Sequence, residues 1–285
     1  MSRSENIEVF RDLMDFVENN GKTAASIQVS KRDQYTVSSD IKVSQPVQRY
    51  EEPASLIVSK KRSMEAASYY AGGFKTCVHN FASWTNPGGG VTKGSSAQEE
   101  CLCRVSTLYP CLVDPKMAEE FYNPHKTALK TGKATTLYDD SCIFTPGVLV
   151  VNTDTAFPER MKEEDWYNVD VITCAAPNLR MAPNNVMNPE GGDNPSSVDD
   201  EQLYALHVQR MRRLLDLAVK EEEEVMILGA FGCGAFRNSP DVVAAAMKTV
   251  VNEYRYSFRV IEFAVYCSPW DSMNYDVFQT VLTQK

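Results

Sequence analysis

Apolar residues change their spacing several times along this 285-residue chain, and the changes predict helices alternating with strands. Ile7, Phe10, Leu13, Met14 and Phe16 recur at near-helical spacing, which predicts an outer helix over residues 3–19. Residues 21–49 mix polarity with weak alternation and predict no definite element. A short strand at Ser55–Val58 leads into a helix around Met64–Tyr70, which Gly72 and Gly73 close. Strands follow at Cys77–Ala82, Gly147–Asn152, Val169–Ala175, Glu224–Ala230 and Arg259–Cys267. The helical period returns at Glu201–Lys220, Pro240–Tyr254 and Tyr275–Thr283. Strands and helices at this spacing predict a three-layer α/β/α domain. One long loop, Pro177–Ser197, is rich in Asn, Pro and Gly, and loops of that length inside a domain are usually functional or mobile. Asn178 and Arg180 open it and are candidates to reach a ligand, with a solvated loop position as the plainer reading for both.

The pattern breaks most sharply after the strand at Cys77–Ala82. Gly88, Gly89 and Gly90 are consecutive, and a run without side chains lets a ligand press on the backbone. Gln98, Glu99 and Glu100 follow after seven residues, where Ser96 and Glu99 suggest a capping box. That places both carboxylates in the first turn of a helix whose buried stripe is Leu102, Val105, Leu108 and Leu112. Bare backbone beside paired carboxylates suits a sugar–phosphate ligand whose glycosidic bond is cut with acid catalysis. Adjacent helical residues point about 100° apart, so these two cannot flank one bond as in an ordinary two-carboxylate glycosidase. A single acid/base fits better. Two close carboxylates resist joint ionisation, and an anionic diphosphate nearby reinforces that, so one retains its proton near neutral pH.

A second glycine cluster, Gly229–Gly234, follows the apolar strand Val225–Leu228 and precedes a helix with Ser239 as N-cap and Pro240 at its first position. Strand, glycine turn and helix N-terminus together suit a diphosphate. Simple turn chemistry is the plainer alternative, because neither a Walker loop nor a regular Gly-x-Gly-x-x-Gly is present. Phe231 and Phe236 flank these glycines, and core packing suits at least one of them.

Composition narrows the chemistry. A net charge of −9 argues against nucleic-acid binding through a basic patch, and it leaves the diphosphate of any anionic ligand to backbone N–H groups and helix ends. The acidic amphipathic start is unlike a secretion signal, and Lys248 interrupts the apolar stretch from Val242 before it could span a membrane. Eight scattered cysteines without a signal peptide point to reduced thiols and a cytoplasmic location. Cys101 and Cys103 place their sulfurs on different helix faces without a second ligand pair, so zinc is not expected. His79, His125 and His207 stand alone, and Cys233 has no partner base in sequence, so neither a triad nor a thiol nucleophile is expected. The run Glu221–Glu224 suits a solvated helix end.

Gly-Gly-Gly, seven residues and Gln-Glu-Glu resembles the signature of poly(ADP-ribose) glycohydrolases, in the shorter bacterial-type branch. The segments 79–83, 101–109, 170–178 and 229–238 resemble further parts of that family in its order, over roughly residues 57–267. The resemblance implies a macrodomain-like mixed sheet between helix layers at 51–285, with an N-terminal helical extension at 1–50 packed on it. It also implies hydrolysis of the ribose–ribose O-glycosidic bond of poly(ADP-ribose), releasing ADP-ribose without metal or cofactor. Glu100 would be the general acid/base and Glu99 would hold the ribose hydroxyls. Substrate binding would fall to Phe81, Ala82, Asn86, Gly88, Gly89, Gly90, Val91 and Gln98 on the first side. Gly229, Phe231, Gly232, Cys233, Gly234, Ala235 and Phe236 would serve on the second, with one aromatic packing on the distal ribose or adenine. At Ser83 the chain departs from the wider superfamily, where asparagine is frequent. The expected partner is poly(ADP-ribose) or an ADP-ribosylated protein, with no direct nucleic-acid or membrane binding. The alternatives are removal of a single ADP-ribose, a non-catalytic ADP-ribose-binding macrodomain, and a scaffold with a degenerate pocket.

Overall fold

The computed structural model describes residues 1–268 and 270–283. Two helices open it, α1 (Arg3–Asn19) and α2 (Gly21–Asp33), followed by β1 (Tyr35–Val37), β2 (Ser55–Ser59), α3 (Ser63–Ser68) and β3 (Thr76–Phe81). Next come α4 (Gln98–Val105), α5 (Leu108–Leu112), α6 (Pro115–Met117), α7 (Asn123–Lys130), β4 (Cys142–Val150) and β5 (Tyr167–Cys174). The chain closes with α8 (Asp200–Lys220), β6 (Val225–Leu228), α9 (Pro240–Glu253), β7 (Val260–Ala264) and α10 (Met273–Thr283).

All seven strands join one mixed sheet in the order β1-β4-β5-β3-β6-β7-β2. β1 and β4 run antiparallel to their neighbours, whereas β2, β3, β5, β6 and β7 are mutually parallel. The parallel strands are apolar on both faces because helices cover both faces. One apolar layer joins the sheet to α8, α9 and α10 through Met211, Leu214, Met247, Val250 and Phe278. The other joins it to α3, α4 and α5 through Met64, Leu102, Val105, Leu108 and Leu112. The expected α/β/α architecture is therefore present. Since the five parallel strands end on one edge, their following loops converge there, where α/β sheets bind ligands.

Three local expectations need correction. The segment without a definite pattern contains α2 and β1. Helix α2 has a weak pattern because Thr23 and Ser30 share its buried face with Ile27, and Asn20 Oδ1 caps it at Lys22 and Thr23 N–H (3.0 and 3.2 Å). The stripe Leu102–Leu112 is buried but spans two helices, because Ser106 turns back to Leu102 O and pairs with Val150. The capping box at Ser96 does not form. Helix α4 starts at Gln98 behind Ala97, and the Glu99 carboxylate faces inward to the Ser83 N–H instead (2.8 Å). Glu99 and Glu100 still occupy the first turn.

The first two helices rest on the side of β4. Leu13, Val17, Ile27, Leu149 and Val151 form a small buried cluster, and Asn6 Nδ2 donates to Gly94 O (3.0 Å) beside the first glycine turn. Among the described residues, no helix is long and apolar enough to cross a membrane.

Candidate active site

The site is assembled by the turn between β3 and α4. β3 runs through the centre of the sheet, and at its end the Phe81 N–H donates to Gln98 Oε1 (2.9 Å). Gln98 Nε2 returns to His79 O (2.8 Å) and Ser63 Oγ (3.0 Å), which fastens the start of α4 to the strand. With its first turn fixed, α4 directs both glutamates into the fold. Glu99 is 2 % and Glu100 6 % exposed, a degree of burial that carboxylates rarely reach without partners.

Their partners differ. Glu99 accepts from Ser83 N–H (2.8 Å) and Asn80 Nδ2 (3.3 Å). Glu100 Oε1 accepts from Gly90 N–H (2.8 Å), whereas Oε2 has no hydrogen-bond partner. Burial and then the neighbouring Glu100 carboxylate push Glu99 well above the ordinary carboxylate range. The N–H groups of Ser83 and Gly88 and the Asn80 amide act in the opposite sense. A pair so placed holds one proton more tightly than two separate carboxyls would.

Around them opens a cavity of about 550 Å³. Phe81, Ala82, Gly89, Gln98, Glu99 and Glu100 line it from the first turn, and Phe231, Gly232, Gly234, Ala235 and Phe236 from the loop after β6. Other residues named from sequence stand behind this wall. Gly88 faces Tyr109, Gly229 sits against Ala264 O and Phe81, and Val91 is fully buried in the apolar layer. Gly90 serves through its N–H, and Asn86 ties the turn to Pro189 O (2.6 Å). Cys233 is half-buried, and burial pushes its thiol up to about 12, the wrong direction for a nucleophile.

Of the two phenylalanines, Phe231 is the core residue at 1 % exposure, and its ring meets His79 at 4.4 Å. Phe236 is only partly buried and faces the cavity. Burial drives His79 down to about 3, so it is a neutral packing group. His207 Nε2 meets Asn238 Oδ1 at 2.7 Å. The Asn238 Nδ2 in turn reaches Pro177 O (2.7 Å), Gly232 O (3.2 Å) and Phe236 O (3.2 Å), which fixes the second glycine loop.

Several lining residues carried no motif. Arg62, on the loop after β2, stacks over Tyr266 at 4.1 Å, and its Nη1 reaches Cys101 Sγ at 3.3 Å. Asp154 follows β4; burial raises its carboxyl to about 6 despite the nearby Arg62. Arg180, Met187 and Asn188 come from the long loop before α8. Their common signal is position, each in a segment next to the carboxyl end of a strand. Asn178, by contrast, is fully buried and donates to Tyr138 Oη (3.1 Å). Among the described residues, no group of three or more His, Cys, Asp or Glu is arranged to hold a metal ion.

The family model for the catalytic domain of microbial-type PARG matches residues 8–153. In structure, the chain is similar to the poly(ADP-ribose) glycohydrolase of Thermomonospora curvata, at 25% identity and TM-score 0.80 over 97% of this chain and 98% of that one. The same protein bound to the inhibitor ADP-HPD matches at 25% identity and TM-score 0.76, over 96% and 98%. The Deinococcus radiodurans poly(ADP-ribose) glycohydrolase in complex with ADP-ribose matches at 26% identity and TM-score 0.73, over 90% and 97%. Comparison with curated proteins gave no match.

Proposed function

The chain belongs to the microbial-type poly(ADP-ribose) glycohydrolase family, and from that premise we propose how its own residues carry the reaction. It is a glycosidase acting on poly(ADP-ribose). The observation that carries the mechanism is the state of Glu100: buried in the cavity wall, held by Gly90 through Oε1, with Oε2 unengaged. We assign Glu100 as the single acid/base. The proton held by the Glu99–Glu100 pair passes through Glu100 to the 2′-oxygen of the departing ribose as the bond from that oxygen to the neighbouring anomeric carbon breaks. Water then adds to the oxocarbenium-like carbon and returns a proton to Glu100, so the enzyme ends as it began.

Glu99 holds the reacting ribose. Its carboxyl group is anchored by Ser83 and Asn80, which orients it towards the sugar hydroxyls. The diphosphate lies along the Gly232–Gly234 backbone. Arg62, which the sequence had not indicated, and Arg180 at the start of the long loop are the cationic side chains lining the cavity and add charge. That ADP-ribose and ADP-HPD complexes exist for the two bacterial relatives supports ADP-ribose as the unit bound. A protein bearing the polymer is the macromolecular partner in this reading. We treat residues 1–50 as an extension whose helices rest on a catalytic core at 51–285 and whose strand β1 completes the edge of its sheet. All eight cysteines are free thiols, which suits the cytoplasm.

Two charge-removing variants test these roles. Glu100→Gln is expected to keep ADP-ribose affinity within about threefold in calorimetry while lowering turnover by at least about 10³. Glu99→Gln is expected to weaken both. Loss of affinity in Glu100→Gln, with turnover surviving, would reverse the assignment.

A further inference from the structure

Apart from Arg180, the reaction leaves the long segment between β5 and α8 without a role, yet one of its side chains is buried inside the catalytic turn. Asn188 is 5 % exposed and lines the cavity. Its Oδ1 accepts from Ser83 Oγ at 2.8 Å. Ser83 is the residue whose N–H holds Glu99 Oε2 at 2.8 Å. The same Ser83 Oγ accepts from Asn86 N–H at 3.1 Å and so sets the entry into the triple-glycine turn.

Around this link the loop docks at several points on the turn. Asn86 Nδ2 donates to Pro189 O (2.6 Å), and Lys93 Nζ donates to Val186 O (2.7 Å). Gly90 stands so close to Met187 that a Cβ there would lie 3.2 Å from Met187 O. The tip is itself fixed, with Asn188 Nδ2 on Pro183 O (3.1 Å) and Tyr138 Oη on Gly191 O (2.8 Å). The amide at 188 is therefore presented rigidly rather than left to a mobile strap.

We propose that Asn188 is a positioning residue for hydrolysis, acting through Ser83 to hold Glu99 and the glycine turn in register with the reacting ribose. The proposal rests on the glycohydrolase reading. Its physical basis is that a buried serine hydroxyl with a fixed acceptor has one orientation. Without that acceptor the hydroxyl rotates, and the N–H beside it is free to drift. A displacement of about 1 Å in a catalytic group can cost on the order of 10²-fold in rate. Binding of the ADP portion involves the other end of the cavity and is insensitive to this link.

The test is a set of steady-state assays on poly(ADP-ribose), with the wild type and Glu100→Gln run alongside. Asn188→Ala is expected to lower kcat roughly tenfold or more with KM within about twofold. Ser83→Ala removes the same hydrogen bond from its other side and reports on the link if Asn188→Ala folds poorly. The double variant is expected to lose little beyond either single one, since both break one connection. Asn184→Ala, which removes two exposed hydrogen bonds within the loop, to Asp193 (2.8 Å) and from the Glu190 N–H (3.2 Å), is a control for loosening the loop and is expected to leave kcat unchanged. An unchanged kcat in Asn188→Ala or Ser83→Ala, fully multiplicative losses, or an equal loss in Asn184→Ala would overturn the proposal while leaving the glycohydrolase reading intact. A wild type that releases nothing would overturn both.

Discussion

Gly89 shows at one residue what this site demands. Its φ of +57° belongs to the left-handed region, and a Cβ there would stand 2.5 Å from Glu100 Oε1 and 3.0 Å from Glu99 Oε2. Both the backbone conformation and the space thus require glycine, because only a bare backbone lets two carboxylates close over the turn. Gly89→Ala is expected to cost about 1–2 kcal/mol from the conformation alone, with a further loss from displaced carboxylates. Thermal unfolding beside kcat measures the two effects separately. A variant as stable and active as wild type would show that the turn tolerates a side chain. Glycines and glutamates of this kind were legible in sequence, since each is the residue type that its local geometry requires.

Elements were legible where their burial follows one period. α8 is a clear example, and β3 was legible as a continuous buried run; α2 is neither, because its buried face carries Thr23 and Ser30 alongside Ile27. Half of the cavity wall was illegible for a different reason. Arg62, Asn188 and Tyr266 lie far apart in sequence and meet because parallel strands end on one edge, and Asp154 joins them from the segment after the antiparallel β4. No local pattern encodes such a meeting. Asn238 illustrates the same point in the loop after β6. One amide spans three carbonyls there and keeps the loop's glycine backbone in place for the diphosphate. Asn238→Ala is expected to weaken ADP-ribose binding about tenfold in calorimetry, since the buried Pro177 O loses its donor and Gly232 O and Phe236 O keep only backbone N–H donors. Unchanged affinity would mean that the loop holds its shape without the asparagine.

At the scale of the whole molecule, stability and pH are coupled through buried carboxyls. Glu223, named from sequence as part of a solvated acidic run, is in fact fully buried at the edge of the sheet away from the cavity. Lys75 Nζ lies 3.5 Å from both Glu223 Oε1 and Asp170 Oδ2, so the buried Glu223 shares its one nearby cation with a half-buried carboxyl. Burial, then the hydrogen bond to Asp170, pushes Glu223 up to about 10 from an ordinary 4.5. The folded protein therefore keeps a proton that the unfolded chain releases. The resulting stability is complete below 4.5 and is lost as pH rises through about 10. Glu99 acts in the same direction. Because the buried neutral histidines His79, His125 and His207 add stability as pH rises to about 6.5, the melting temperature is expected to fall only from roughly pH 7 to pH 9, and Glu223→Gln, permanently neutral, is expected to flatten that fall. A melting temperature that rises over this range in both proteins would contradict the buried neutral state.

The most direct measurement is release of ADP-ribose from poly(ADP-ribose) of defined length, wild type beside Glu100→Gln, with EDTA present. Release by the wild type, with a loss of about 10³ or more in the variant, is the expected result for a glycohydrolase acting through one carboxyl. Equal release by both proteins would remove Glu100 from the chemistry. No release by the wild type, with ADP-ribose still bound in calorimetry, would contradict the central claim and leave a binding module in its place.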